Sequence, residues 1–275
     1  MALLVPAPRA IPREANFSGR PADTMGTTLT ASATPHALPT SPTEIIASTA
    51  AHTDLIEVTI QNIFGAATNT DALVNVYVGT AGSEVVLLPN LLGGWSVTLT
   101  GSAGIRRYRF PLRIPRGSRI SADLRALIAD ETAQVMVALY AVEGMGWSGA
   151  GVETLGADTS ASRGTDVTPG TTSDGTLTSI GTTSRTYRYV LPAVMGNADT
   201  TLTSGAHACD IGTASAAIAG LEEFLFFGSG AEWQESPDNG QGRFVDVASG
   251  TALYARLQSG GAEAEAKSVC IYGVY

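Results

Sequence analysis

Apolar and polar residues alternate with period two through most of this chain. Ile56, Val58 and Ile60 share one face of their segment, with Glu57 and Thr59 on the other. The same holds for Val74, Val76 and Val78, and for Ile120, Ala122, Leu124 and Ala126, whose partners Ser121, Asp123 and Arg125 are polar. Residues 95–99 and 108–114 follow the same pattern, and 135–142 is almost wholly apolar, as a strand in the middle of a sheet would be. Period-two alternation predicts strands. Gly79, Gly82, Gly93-Gly94, Gly101, Gly104 and Pro115-Arg116-Gly117 supply the turns between them.

Further on, residues 187–191, 221–227, 244–247, 253–257 and 269–274 read as strands, with a turn at Ser236-Pro237-Asp238-Asn239-Gly240. One segment is ambiguous. Ser41-Pro42-Thr43-Glu44 fits a helix capping box, but the next residues are short and rich in β-branched side chains. A strand or a single helical turn is expected there.

Parts of the pattern occur twice. Val78-Gly79-Thr80-Ala81 matches Ile211-Gly212-Thr213-Ala214, and Gly117-Ser118 matches Gly250-Thr251 at the same spacing of 133 positions. With a slip of one residue, Leu139-Tyr140-Ala141-Val142 falls on Ile271-Tyr272-Gly273-Val274. A near-constant offset that keeps the apolar phase predicts two copies of one fold. The expected class is all-β: two tandem β-sandwich or jelly-roll-like domains from an internal duplication, with an extended N-terminal arm.

Domain boundaries follow from composition. Residues 1–26 carry Pro6, Pro8, Pro12 and Pro21, which favour extended chain. They read either as a disordered tail or as an arm ordered on a neighbouring subunit, with Leu4, Arg9, Ile11, Arg13, Phe17 and Arg20 as its contact residues. The first sandwich is expected over 27–143 and the second over 176–275. Between them, 144–175 is rich in Gly, Ser, Thr and Asp and reads as a linker.

Charged residues make up 15% of the 275, and 31 glycines contribute to the balance. That suits strands and turns better than helices, whose wet faces carry Glu and Lys. A net charge of −9 argues against nucleic acid as a partner. Arg106-Arg107-Tyr108-Arg109 is a local exception, read as the solvated side of a strand or a contact to an acidic neighbouring subunit. No apolar run approaches the length of a membrane span. Met1 to Val5 is too short for a signal-peptide core, so synthesis in the cytoplasm is expected.

The search for chemistry returns little. Gly144-Met145-Gly146-Trp147-Ser148-Gly149 has dinucleotide-fingerprint spacing, but a poor helix former follows it. His36, His52 and His207 have no metal-ligand spacing and read as surface or core residues. Asp130-Glu131 and Glu222-Glu223 are adjacent pairs whose side chains diverge on a strand, so they read as solvated turns and edges. No catalytic, metal or cofactor residue is assigned, and no enzyme activity is expected. Cys209 and Cys270, the only cysteines, are either buried free thiols or a disulfide between neighbouring strands. Trp95, Trp147 and Trp233 serve either packing or a binding surface, with Trp147 and Trp233 the candidates for a sugar-stacking platform.

The stretch from Glu44 through Leu55-Ile56-Glu57-Val58-Thr59-Ile60-Gln61-Asn62, followed by Val74 to Gly79, resembles small β-sandwich modules in virion proteins of tailed bacteriophages. Phe110-Pro111-Leu112-Arg113-Ile114-Pro115-Arg116-Gly117-Ser118-Arg119-Ile120 is similar to the later strand, proline and glycine turn of such modules. The resemblance covers most of residues 44–142 and, more faintly, 187–275. It implies a non-enzymatic, multi-copy component of a phage particle, as capsid decoration or a neck or tail accessory, whose partners are itself and other virion proteins. It carries over no site residues. The alternative expectation is a carbohydrate-binding adhesin or fibre-type module that recognises host glycans.

Overall fold

The computed structural model describes residues 10–15, 26–64, 70–96, 106–142, 146–171, 173–196, 205–213, 220–229, 232–235, 242–260 and 265–275. Among them every regular element is a strand. The first nine are β1 (Ala10–Ala15), β2 (Thr27–Thr30), β3 (Thr43–Ile46), β4 (Leu55–Phe64), β5 (Thr70–Gly79), β6 (Val85–Ser96), β7 (Arg106–Phe110), β8 (Arg119–Ala126) and β9 (Thr132–Val142). The next ten are β10 (Val152–Leu155), β11 (Thr165–Val167), β12 (Thr178–Thr182), β13 (Tyr187–Met195), β14 (Gly205–Gly212), β15 (Gly220–Ser229), β16 (Glu232–Glu235), β17 (Arg243–Val247), β18 (Ala252–Ser259) and β19 (Lys267–Val274).

These strands form four sheets. In the first half, β1-β9-β4-β7, with β2 also on β9, faces β3-β8-β5-β6. In the second half, β10-β19-β13-β17, with β11 also on β19, accompanies β12-β18-β14-β15-β16. The two halves share one pairing scheme. In each, two short strands line one edge of the last strand: Ala10 opposite Val142 and Thr27 opposite Val135 in one half, Val152 opposite Val274 and Thr165 opposite Val269 in the other. Among the described residues the second half has one further strand, β16, beside β15.

The alternation read from the sequence fixes which side chains turn inward. Ile56, Val58 and Ile60 on β4 meet Val74 and Val76 on β5, Ile120, Ala122 and Leu124 on β8, and Val135, Val137 and Leu139 on β9 in one buried cluster. Each Val, Ile or Leu among them contributes roughly 1.5–3 kcal/mol on leaving water. The ambiguous segment at residues 41–46 is resolved as the strand β3, paired with β8.

Two expectations about boundaries need correction. Residues 144–175 are more than a linker, because β10 and β11 lie within them and both pair with β19. Their connecting segment, 156–164, reaches the outer face of the β3-β8-β5-β6 sheet. Arg125 Nη1 donates to the Thr159 carbonyl at 3.2 Å, Arg163 lies 3.8 Å from Asp71, and His36 Nδ1 is 2.9 Å from Ser162 Oγ. This strap accompanies the burial of both faces of β8, whereas β18 alternates strictly between buried and half-buried positions. Composition hid the strands because edge strands of three or four residues pair on one side only and need few large apolar residues. Part of the expected arm is also a strand: β1, which holds Ile11 and Arg13, pairs with β9 of its own chain. Leu4, Arg9, Phe17 and Arg20 lie outside the described residues.

On the outer face of the β3-β8-β5-β6 sheet Asp123 and Asn75 are satisfied locally, whereas Ser121 Oγ and Arg125 Nε are buried without a hydrogen-bond partner among the described residues. Asn75 Nδ2 donates to Asp123 Oδ1 at 2.8 Å, and the Tyr77 hydroxyl donates to Asp123 Oδ2 at 2.5 Å. Asn75 Oδ1 in turn accepts from the Asn90 N–H at 2.8 Å. Burial nevertheless pushes the Asp123 carboxyl above its ordinary range.

Candidate functional site

The seam between the sandwiches is built by the outer face of the β10-β19-β13-β17 sheet. Register places Tyr189 opposite Val274, Leu191 opposite Tyr272, and Ala193 opposite Cys270. Residues directly opposite one another share a face. Tyr272 packs edge-on against Tyr108 and Phe110, with ring centroids 5.6 and 5.9 Å apart. Its phenol oxygen accepts from the Leu92 N–H at 2.8 Å, and the Tyr108 hydroxyl donates to the Leu92 carbonyl at 2.6 Å. Burial pushes both phenols well above their ordinary range.

The arginines of residues 106–109 divide between two roles. Arg107 is exposed, but Arg106 is buried and its Nη1 donates to the Val194 carbonyl of the second sandwich at 3.1 Å. The expected solvated face is therefore corrected at Arg106: the strand register puts it on the same face as Ile60. Burial lowers the pKa of its guanidinium. Arg109 pairs with Glu57 at 2.5 Å on the opposite face. Gly149 closes the seam, since a Cβ there would collide with Val274 and the Tyr275 carbonyl.

A cleft opens beside this seam, with a volume of about 350 Å³ and lined by Trp147, Arg188, Phe244, Val245 and Asp246. Trp147 comes from the segment between the halves and packs against the core. Phe244 stands on the edge strand β17 and is 63% exposed. The two rings meet at 81° with centroids 6.2 Å apart, an aromatic corner. Tyr189 backs Phe244 at 5.3 Å and 66°. The Tyr189 hydroxyl is held in turn, donating to the Arg109 carbonyl at 3.0 Å and accepting from the Gly242 N–H at 2.5 Å. Arg188 and Asp246 are exposed, and neither forms an ion pair among the described residues.

Of the residues singled out by sequence, only Trp147 lies in this cleft. Trp233 belongs to β16, and its side chain is outside the described set. Cys209 and Cys270 are buried free thiols, so the disulfide reading is corrected. They lie on β14 and β19, which belong to different sheets, and Cys270 shares the seam-facing side of Tyr272. Arg188, Phe244 and Asp246 were missed, although a signal existed. In Arg243-Phe244-Val245-Asp246-Val247, alternation puts Phe244 on the face of Asp246, away from the valines.

Other groups offer less. Glu131 is buried rather than solvated, whereas Asp130 is exposed with φ 56°. Ser162 and His36 are within hydrogen-bonding distance, but Ser162 is fully buried, so the pair serves as a strut for the strap. Among the described residues no three His, Cys, Asp or Glu side chains converge as a metal site would require.

No family model matches the chain, and no curated protein matches it. Among solved structures it is similar to a peptide-N(4)-(N-acetyl-β-D-glucosaminyl) asparagine amidase, with 13% identity, 97% of this chain and 95% of that chain covered, and a TM-score of 0.33. It is also similar to the N-terminal CBM22-1-CBM22-2 tandem domain of Paenibacillus barcinonensis Xyn10C, with 12% identity, coverages of 93% and 99%, and a TM-score of 0.24. With TM-scores below 0.5, neither likeness says what this chain binds or does.

Proposed function

We propose that this chain is a non-enzymatic, multi-copy structural component of a tailed-phage particle, acting through contacts between subunits. The reading joins the virion-module resemblance of residues 44–142 to one structural observation: the two sandwiches form a braced pair. Tyr272, Arg106 and Tyr189 cross the seam with hydrogen bonds, and residues 156–164 strap the second half onto the first. Such bracing suits a bracket that holds two neighbouring positions at a fixed spacing. A flexible tether would not need it. We read the two halves as copies of one packing unit, and their shared pairing scheme supports this.

In this reading residues 1–9, which precede β1, add affinity by ordering across a subunit boundary, while β1 itself pairs with β9 of its own chain. β1 contributes one edge strand of 6 residues, so the two sandwiches are expected to fold without it. Deleting residues 1–26 should leave a folded protein that no longer joins particles. Unchanged incorporation of the truncated chain would overturn the reading.

A further inference from the structure

We infer that the corner formed by Trp147 and Phe244 is a binding site for a neutral saccharide, a function separate from particle assembly. Three observations carry it. First, Phe244 is a large aromatic left 63% exposed on a strand whose neighbouring valines are turned inward. A singly exposed apolar side chain is ordinary surface, but Phe244 is one wall of a cleft whose other aromatic wall is Trp147. Second, the corner is rigid before any ligand arrives. Tyr189 supports Phe244 from behind, and its own hydroxyl is fixed at both its donor and acceptor sides. A platform held in advance loses little entropy on binding.

Third, the charged rim selects the ligand. An ionised carboxylate only accepts hydrogen bonds and a guanidinium only donates them. Asp246 and Arg188 line one cleft without pairing to any described residue. A ligand that satisfies both offers donors and acceptors side by side, and the vicinal diol of a neutral sugar does so without bringing a charge of its own. A pyranose ring with equatorial hydroxyls has that rim, together with a flat C–H face to lay on an aromatic ring. The chain's net charge of −9 further disfavours an anionic ligand. The cleft volume of about 350 Å³ lies at the small end of ligand sites, and its place beside a domain seam is common for them.

The test titrates the full chain by calorimetry with soluble neutral tetrasaccharides of gluco, galacto and manno configuration. At least one should bind saturably, and Phe244→Ser and Trp147→Ala should each weaken it at least about tenfold. Asp246→Asn, which keeps the shape and removes the charge, should weaken it less. Phe244 is exposed, so its replacement leaves the fold intact, and an unchanged melting curve checks this. Absence of saturable binding by every sugar up to about 10 mM overturns the inference. So does binding that neither Phe244→Ser nor Asp246→Asn alters. Because the readout is the isolated chain, failure here leaves the assembly reading standing, and failure of assembly leaves this one.

Discussion

The phenol oxygen of Tyr272, on the last strand of the second sandwich, accepts a hydrogen bond from the backbone N–H of Leu92, on an edge strand of the first, at 2.8 Å. Leu92 sits in β6, at the margin of its sheet, where a backbone N–H would otherwise face a buried seam. One side chain therefore does what a neighbouring strand normally does, and it joins the two halves in doing so. Replacing Tyr272 by Phe keeps the ring contacts with Tyr108 and Phe110 but strands the donor. The expected loss is about 1–3 kcal/mol in denaturant unfolding. A variant as stable as the parent would show that water reaches the Leu92 amide.

Arg106 crosses the same seam with a charge. Arg106→Ala removes the bond to the Val194 carbonyl and leaves a cavity, for an expected loss of about 2–5 kcal/mol. Arg106→Met refills most of the volume without a buried charge and should cost clearly less. Equal losses would mean that the charge, rather than the packing, holds the seam.

The two thiols should be silent in the native protein. Burial raises the pKa of Cys209 and Cys270, so neither supplies a reactive thiolate near neutral pH. A colorimetric thiol titration should find none accessible in the folded chain and both in denaturant. Rapid reaction of either in the folded chain would contradict their placement.

Glu131 gives stability a pH dependence. Burial lifts its carboxyl above the ordinary value of 4.5, and its Oε2 has no hydrogen-bond partner. A carboxyl raised in the folded state favours folding most when protonated. Its contribution is full below 4.5 and is lost as pH rises through the folded value. Glu131→Gln should therefore match the parent in acid and become the more stable of the two toward neutrality, measured by urea unfolding across that range. A difference that does not change with pH would place the effect elsewhere.

Much of the first sandwich was legible because its strands are long and bury one face: β4, β5, β8 and β9 follow the alternation of Ile56, Val74, Ile120 and Val135. Less legible was whatever depends on a second contact to the outer face of a sheet. Ser121 and Asp123 look solvated by phase, yet both are buried on the outer face of their sheet. Tyr272 and Phe110 look like ordinary core residues, and nothing local marks them as meeting across a seam. β10 and β11 were hidden because they are only four and three residues long, so Val152, Leu155 and Val167 reach the core without a run of alternation to announce them. Trp147 was a visible candidate, but its partner Phe244 lies 97 positions away and is brought to it only by the fold.

Imaging of tailed-phage particles in which this chain carries a label tests the structural role most directly. The label should occupy several symmetry-related positions on each particle and survive washing. Particles without label, with the chain left in the soluble fraction of the lysate, would contradict it.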